Sequence, residues 1–238
     1  MGGNIYSTRE EIQSLEPVPF DNYEKNKGAN GFRLVISAPQ NPSKQYLLAQ
    51  YYNQDNLVRK STENYSKWLQ LAADGGNASA MARLAAEYYY LYTEEGYKKC
   101  YELCVRAAES EQHYALLQLA KLYSNGYYVQ KDMKKAFEYY ERSANAGNLT
   151  AMNKMAVSYR DGDELPVDKE KYFYWMEKAV NGGLDDESLA IELAQCYQKG
   201  QYCEKDEKKA FELFCKLAEK EGASILALVA RRRSKRTL

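Results

Sequence analysis

The sequence predicts an all-α protein built as a stack of about five similar helix pairs, and two registers of anchor residues carry that prediction. The first register is a Leu-Ala or Met-Ala step followed by Tyr: Leu48, Ala49 and Tyr52; Leu84, Ala85 and Tyr88; Leu119, Ala120 and Tyr123; Met155, Ala156 and Tyr159; Leu193, Ala194 and Tyr197. Its first members lie 36, 35, 36 and 38 residues apart. The second register is Ala72, Ala108, Ala144, Val180 and Ala218, spaced 36, 36, 36 and 38. Two independent registers that keep one period over five copies mark an array of helical units, each of which buries its apolar face only against a neighbour. A glycine follows the second anchor as Gly75, Gly147 and Gly183, with Gly222 one place late, where it can take the left-handed conformation that ends a helix.

Taken in order, residues 1–43 stand outside the register. They read as an irregular leader, with one short helix near Thr8 to Leu15 and an extended run from Phe32 to Ser37, whose apolar residues can cap the stack. Gly2 is not followed by the Ser or Thr at position six that N-myristoylation wants, since Tyr6 stands there. Residues 44–230 form the array. Each unit supplies a helix A carrying the Leu-Ala-Tyr face, a loop, and a helix B carrying the Ala face. In the loops SNGYYVQKD and QKGQYCEKD, Gly126 and Gly200 end helix A, while Asp132 and Asp206 are placed to cap helix B. Pro166 and Asp168 punctuate the loop between them; the first two loops are degenerate and the second is shortened. Helix B alternates small and aromatic residues at the 3.6-residue period, as in Ala136, Phe137, Tyr140 and Ala144. Gly222 to Arg233 reads as a final capping helix without a partner, and 231–238 as a basic tail.

Composition excludes some functions. Lys plus Arg equals Asp plus Glu at 33 each, so no global field favours nucleic acid or an anionic membrane. Five of those cations lie in the last eight residues, which leaves a mildly acidic body and a basic tail. The N-terminus has no apolar signal-peptide core, and no segment is long enough to span a membrane. Five cysteines, an odd number without CxxC pairs, suit a reduced, cytoplasmic compartment; Cys100 and Cys104, one turn apart, read as small core residues.

The period, the Leu-Ala-x-x-Tyr element, the loop glycine, valine and aspartate at Gly126, Val129 and Asp132, and KKAFEYY followed by Ala144 and Gly147 resemble the Sel1-like repeats, relatives of the tetratricopeptide repeats. The resemblance spans about residues 44–230. It implies a right-handed α-solenoid of about five Sel1-like helix pairs plus a C-terminal capping helix, and a non-enzymatic adaptor, scaffold or inhibitor of immunity type.

Catalytic chemistry has little to stand on. His113 is the sole histidine, no motif positions a nucleophile, and neither a Walker loop nor GxGxxG is present. The acidic run Asp161, Asp163, Glu164 and Asp168 departs from a calcium loop at Leu165 and Tyr172, so no metal or cofactor is expected. An enzyme, for example a hydrolase as among secreted cysteine-rich relatives, is the rival class, and a nucleic-acid or acidic-surface binder acting through the tail is a third.

The informative residues are those that the repeat does not need. With the first anchor as zero, positions minus two, plus two and plus five of helix A fall opposite the core. They are Tyr46, Gln50 and Asn53; Ala82, Ala86 and Tyr89; Leu117, Lys121 and Ser124; Asn153, Val157 and Arg160; Ile191, Gln195 and Gln198. In a stack of this kind helix A lines the concave side, so the set is the expected floor of a groove for a protein partner. Of the 23 tyrosines, Tyr89, Tyr90, Tyr92, Tyr127, Tyr128 and Tyr202 exceed the repeat's needs and read as interface or loop-packing residues.

Overall fold

A computed structural model describes residues 39–53, 62–162 and 165–220, and among them the fold is all-α, ten helices paired in sequence. The expected leader helix and strand, the final capping helix, the basic tail, and Asp163 and Glu164 lie outside the described residues. The chain divides into two compact units, Met1–Ala115 and Leu116–Leu238.

The first unit holds α1 (Pro42–Asn53), α2 (Thr62–Asp74), α3 (Ala78–Tyr89) and α4 (Glu94–Ala108). Helix α1 starts on a proline behind Asn41, whose side-chain oxygen accepts from the Ser43 and Lys44 amides at 2.9 and 3.3 Å. Helix α2 packs against both α1 and α3, and α4 packs against α3. Leu48, Ala49 and Tyr52 are buried, as are Trp68, Leu69, Ala72 and Ala73. Asn77 caps α3 by accepting from the Ala80 amide, and Thr93 caps α4 by accepting from that of Gly96.

The division between the units falls inside α5 (His113–Asn125), just before the anchor Leu119. The second unit continues with α6 (Met133–Asn145), α7 (Leu149–Asp161), α8 (Lys169–Asn181), α9 (Glu187–Lys199) and α10 (Glu207–Lys220). Neighbours in sequence pack on one another: α6 on α7, α7 on α8, α8 on α9 and α9 on α10. Asp132, Asp168 and Asp206 cap α6, α8 and α10 as the loop pattern predicts, each accepting from the amide three residues on at 3.0 Å. The same three aspartates close their loops through the backbone, donating to Tyr123, Tyr159 and Tyr197 carbonyls at 3.0, 3.0 and 2.9 Å.

Of the second register, Ala72, Ala108, Ala144 and Ala218 are buried and Val180 is half-buried. Positions zero and plus one of the first register are buried in all five copies, and Tyr52, Tyr123 and Tyr197 with them, while Tyr88 and Tyr159 are half-buried. A lysine of helix B lies over the anchor tyrosine in four copies: Lys99 on Tyr88, Lys135 on Tyr123, Lys171 on Tyr159 and Lys209 on Tyr197, 4.6–5.3 Å from the ring centre. The turn from helix B to the next A corrects one expectation. Gly147 and Gly183 take the left-handed conformation, at φ 97° and 93°, but Gly76 rather than Gly75 does so in the first turn, at 96°. A side chain on Gly75 would meet the ring of Pro42 at 2.6 Å, so close approach, not dihedral freedom, is its reason.

Candidate functional site

In the first unit the outward positions of helix A stay open on α1 and close at two of three places on α3. On α1, Gln50 and Asn53 are exposed and Tyr46 is half-buried. On α3, Ala86 is half-buried, but Ala82 and Tyr89 are 1% and 8% exposed, which corrects their assignment to an open face. The Tyr89 ring packs edge-on against buried Tyr97 of α4, 5.5 Å between centres. Four residues join α3 to α4, and this short turn returns Tyr97 directly over the end of α3. The turn itself exposes Tyr90, Leu91 and Tyr92, with Tyr92 in the left-handed region at φ 54°.

On α5, Leu117 is buried, again against expectation, while Lys121 and Ser124 are half-buried. Within the second unit, α7 and α9 keep their outward positions open. Asn153, Val157, Arg160, Ile191 and Gln198 are half-buried and Gln195 is exposed. Arg160, Ile191 and Gln195 line a cleft of about 510 Å³. Helix α8 adds Lys169 and Tyr172, α9 adds Ser188, Glu192 and Cys196, and the loop after α9 adds Gln201 and Tyr202. That volume lies within the range of about 300–1,000 Å³ of clefts that seat a small ligand or a peptide anchor.

Charge in the cleft is mixed. Arg160 donates through Nε and Nη2 to Asp161, at 2.7 and 3.2 Å, which raises the guanidinium pKa and depresses that of the carboxyl. Lys169 Nζ reaches the Arg160 carbonyl at 3.5 Å. The Arg160 guanidinium lies 6.0 Å from the centre of the Tyr172 ring, and the Lys169 ammonium 5.9 Å from that of Tyr202. The two rings themselves meet edge-on at 6.4 Å. Tyr172 is 1% exposed, and burial, with Glu192 second, holds its hydroxyl well above the usual tyrosine range. Burial, again with Glu192 second, pushes the Cys196 thiol up to about 11, so it is a protonated wall of the cleft rather than a nucleophile.

Among the described residues no group of three or more His, Cys, Asp or Glu can hold a metal ion. Asp161 is paired with Arg160, and Asp168 caps α8. His113 heads α5 beside the Tyr114 ring, 4.2 Å between centres, and burial lowers its pKa. All five cysteines are free thiols, with Cys100 and Cys104 buried and their sulfurs 4.0 Å apart. No helix of the described residues is long and apolar enough to cross a membrane.

Arg160, Ile191 and Gln195 of the cleft follow from the helix-A register, whereas Lys169, Tyr172, Ser188, Glu192 and Gln201 do not. The signal for Tyr172 and Lys169 is in the sequence, on helix B. Where α8 has Tyr172, the equivalent positions of three other copies are Cys100, Ala136 and Ala210. Where it has Lys169, they are Tyr97, Met133 and Glu207.

The Sel1 repeat family model matches five times, over residues 45–77, 78–111, 113–148, 149–184 and 189–221. No curated protein matches the chain in sequence. Among solved structures, a Sel1 repeat protein from Oxalobacter formigenes aligns with TM-score 0.67 at 20% identity, over 81% of this chain and 55% of that one. A protective antigen of uropathogenic Escherichia coli with an SLR fold aligns with TM-score 0.58 at 18% identity, over 93% of this chain and 42% of that one. The chain thus spans about half the length of these two proteins. An immunity protein of Pseudomonas aeruginosa aligns with TM-score 0.50 at 18% identity, over 74% of this chain and 68% of that one. At these identities the likeness is one of fold.

Proposed function

The chain belongs to the Sel1 repeat family, and from that premise we propose that it is a non-enzymatic binding module whose protein partner docks on the outward faces of its A helices. Sel1 repeat scaffolds typically bind proteins, and α7 and α9 provide what such binding needs: adjacent open positions that mix amide, aliphatic and cationic side chains around a cleft. That open surface is the observation that carries the reading. Asn153, Val157, Arg160, Ile191, Gln195 and Gln198 all stand outside the buried core, which the anchors build together with residues such as Leu116, Leu122 and Met176. A narrower form of the reading is an inhibitor that occludes one cognate toxin or enzyme; the Pseudomonas immunity protein is a fold relative of that kind. Five free cysteines support a cytoplasmic setting.

The test is affinity capture of partners by the tagged full chain, followed by mass spectrometry, and then by recapture with Lys121→Ala, Arg160→Ala and Gln195→Ala, each checked for helicity and melting temperature. Loss of the partner from at least one folded variant is expected. Undiminished capture by all three would sink the reading, and turnover of any substrate abolished by His113→Ala in a folded protein would replace it with the enzymatic one.

A further inference from the structure

The cleft of the second unit contains more than the repeat asks for, and the surplus is polar. At the helix-B position where Cys100, Ala136 and Ala210 stand in other copies, α8 places a tyrosine. Its side chain is 1% exposed and its hydroxyl makes no hydrogen bond. Glu192 and Arg160 both lie close enough to act on that hydroxyl, although neither completes a hydrogen bond with it. Buried hydroxyls are ordinarily bonded, so an unbonded one on a residue that lines a cleft is the feature to be explained.

The neighbouring charges say what kind of group that is. Arg160 and Lys169 are both departures from the repeat, since the helix-A position of Arg160 holds Asn53, Tyr89, Ser124 and Gln198 in the other copies. Among the described residues they face the lining carboxylate of Glu192. Asp161 holds the outer edge of Arg160, so Lys169 is the cation that brings no carboxylate partner of its own to the cleft. An arriving cation would meet like charge, and the rings of Tyr172 and Tyr202 already carry the chain's own Arg160 and Lys169. A carboxylate would meet the Lys169 ammonium, the remaining edge of the Arg160 guanidinium and a protonated hydroxyl. Asp161 already occupies one edge of Arg160 from the exposed side, which shows how that guanidinium takes a carboxylate in two parallel bonds.

We infer that the cleft between α7, α8 and α9 receives an acidic side chain of a partner protein, with the residue beside it lying against Ile191 and the Tyr202 ring. This rests on the protein-binding reading and deepens it. The carboxylate accepts hydrogen bonds from Lys169, Arg160 and the Tyr172 hydroxyl, and the Gln195 and Gln201 amides bond the adjacent peptide backbone.

The probe is the capped peptide acetyl-Gly-Glu-Tyr-Glu-Gly-amide, labelled for fluorescence anisotropy and titrated with the full chain at low and at physiological salt. Saturable binding that weakens with salt is expected, falling about tenfold or more when both glutamates are replaced by glutamine. Tyr172→Phe, which keeps the ring and removes only the hydroxyl, is expected to weaken binding several-fold with an unchanged melting temperature, and Lys169→Gln about tenfold. The inference is overturned if the acidic peptide does not bind saturably, if its lysine analogue binds as well, or if Tyr172→Phe and Lys169→Gln both bind like the parent. It is also overturned if the glutamine peptide with a free C-terminal carboxylate binds as tightly, because the site would then read a chain end. Partner capture sensitive to Lys121→Ala but indifferent to Tyr172→Phe and Lys169→Gln removes the cleft and leaves the protein-binding reading standing.

Discussion

Helix α3 in the first unit and helix α9 in the second carry the same repeat register, yet their outward faces have opposite fates. At minus two and plus five, α3 has Ala82 and Tyr89, both buried; α9 has Ile191 and Gln198, both half-open beside a cleft. At plus five the difference lies in the loop that follows each helix. Four residues link α3 to α4, and the turn folds Tyr97 onto Tyr89; seven link α9 to α10, and their Gln201 and Tyr202 become walls of the cleft instead of a lid. Plus five is therefore open only when that loop is long enough to stay off it, whereas minus two closes at Leu117 of α5 even with a seven-residue loop.

The contrast is open to direct attack by substitution at one register position. Tyr89→Ala is expected to lower the unfolding free energy by about 3 kcal/mol, because it removes a buried ring packed on Tyr97. Gln198→Ala should stay within about 0.5 kcal/mol of the parent. Equal urea midpoints for the two variants would erase the distinction between the faces. The short turn itself is tested at Gly96. A methyl there would sit 2.6 Å from the Tyr88 carbonyl and 2.9 Å from the Thr93 hydroxyl, so Gly96→Ala should destabilise by about 1–3 kcal/mol. In an unconstrained helix the same change would stabilise by about 0.5–1 kcal/mol, so the sign of the melting-temperature shift decides.

A smaller difference between the units sits in the turns from helix B to A. Gly147 and Gly183 of the second unit occupy the left-handed region, and Glu111 holds the equivalent place at φ 50°. Glu111→Gly should gain about 0.5–1 kcal/mol by removing that strain, and Gly147→Ala should lose about as much, both read from denaturant midpoints. The smallest expected effect concerns a contact that the units share. Lys99→Met and Lys171→Met each remove a cation from over a half-buried anchor tyrosine and should cost about 0.5 kcal/mol alike. A marked inequality between them would mean that the repeated contact serves different ends in the two units.

Much of this architecture is legible in the chain itself. A core made by Leu48 and Ala49, by Leu119 and Ala120, and by Leu193 and Ala194 follows from periodicity alone, because a helical stripe and its neighbour are both written in the local sequence. The caps at Asp132, Asp168 and Asp206 are equally local, since each aspartate bonds an amide three residues away. The site is only partly legible. Arg160, Ile191 and Gln195 are visible as departures on helix A, but Tyr172 is a departure on helix B, whose small-residue register reads as core. Its ring is buried like a core residue; what sets it apart is an unbonded hydroxyl at a cleft wall, and no spacing encodes that.

Family, helix pairing, core and caps are thus written in the sequence, because each depends on residues within one or two turns or one repeat of each other. Which outward positions stay open is settled in three dimensions. Ala82, Tyr89 and Leu117 satisfy the same register rule as Ile191, Gln198 and Asn153, and their burial depends on what folds over them, to which the period of a repeat is blind.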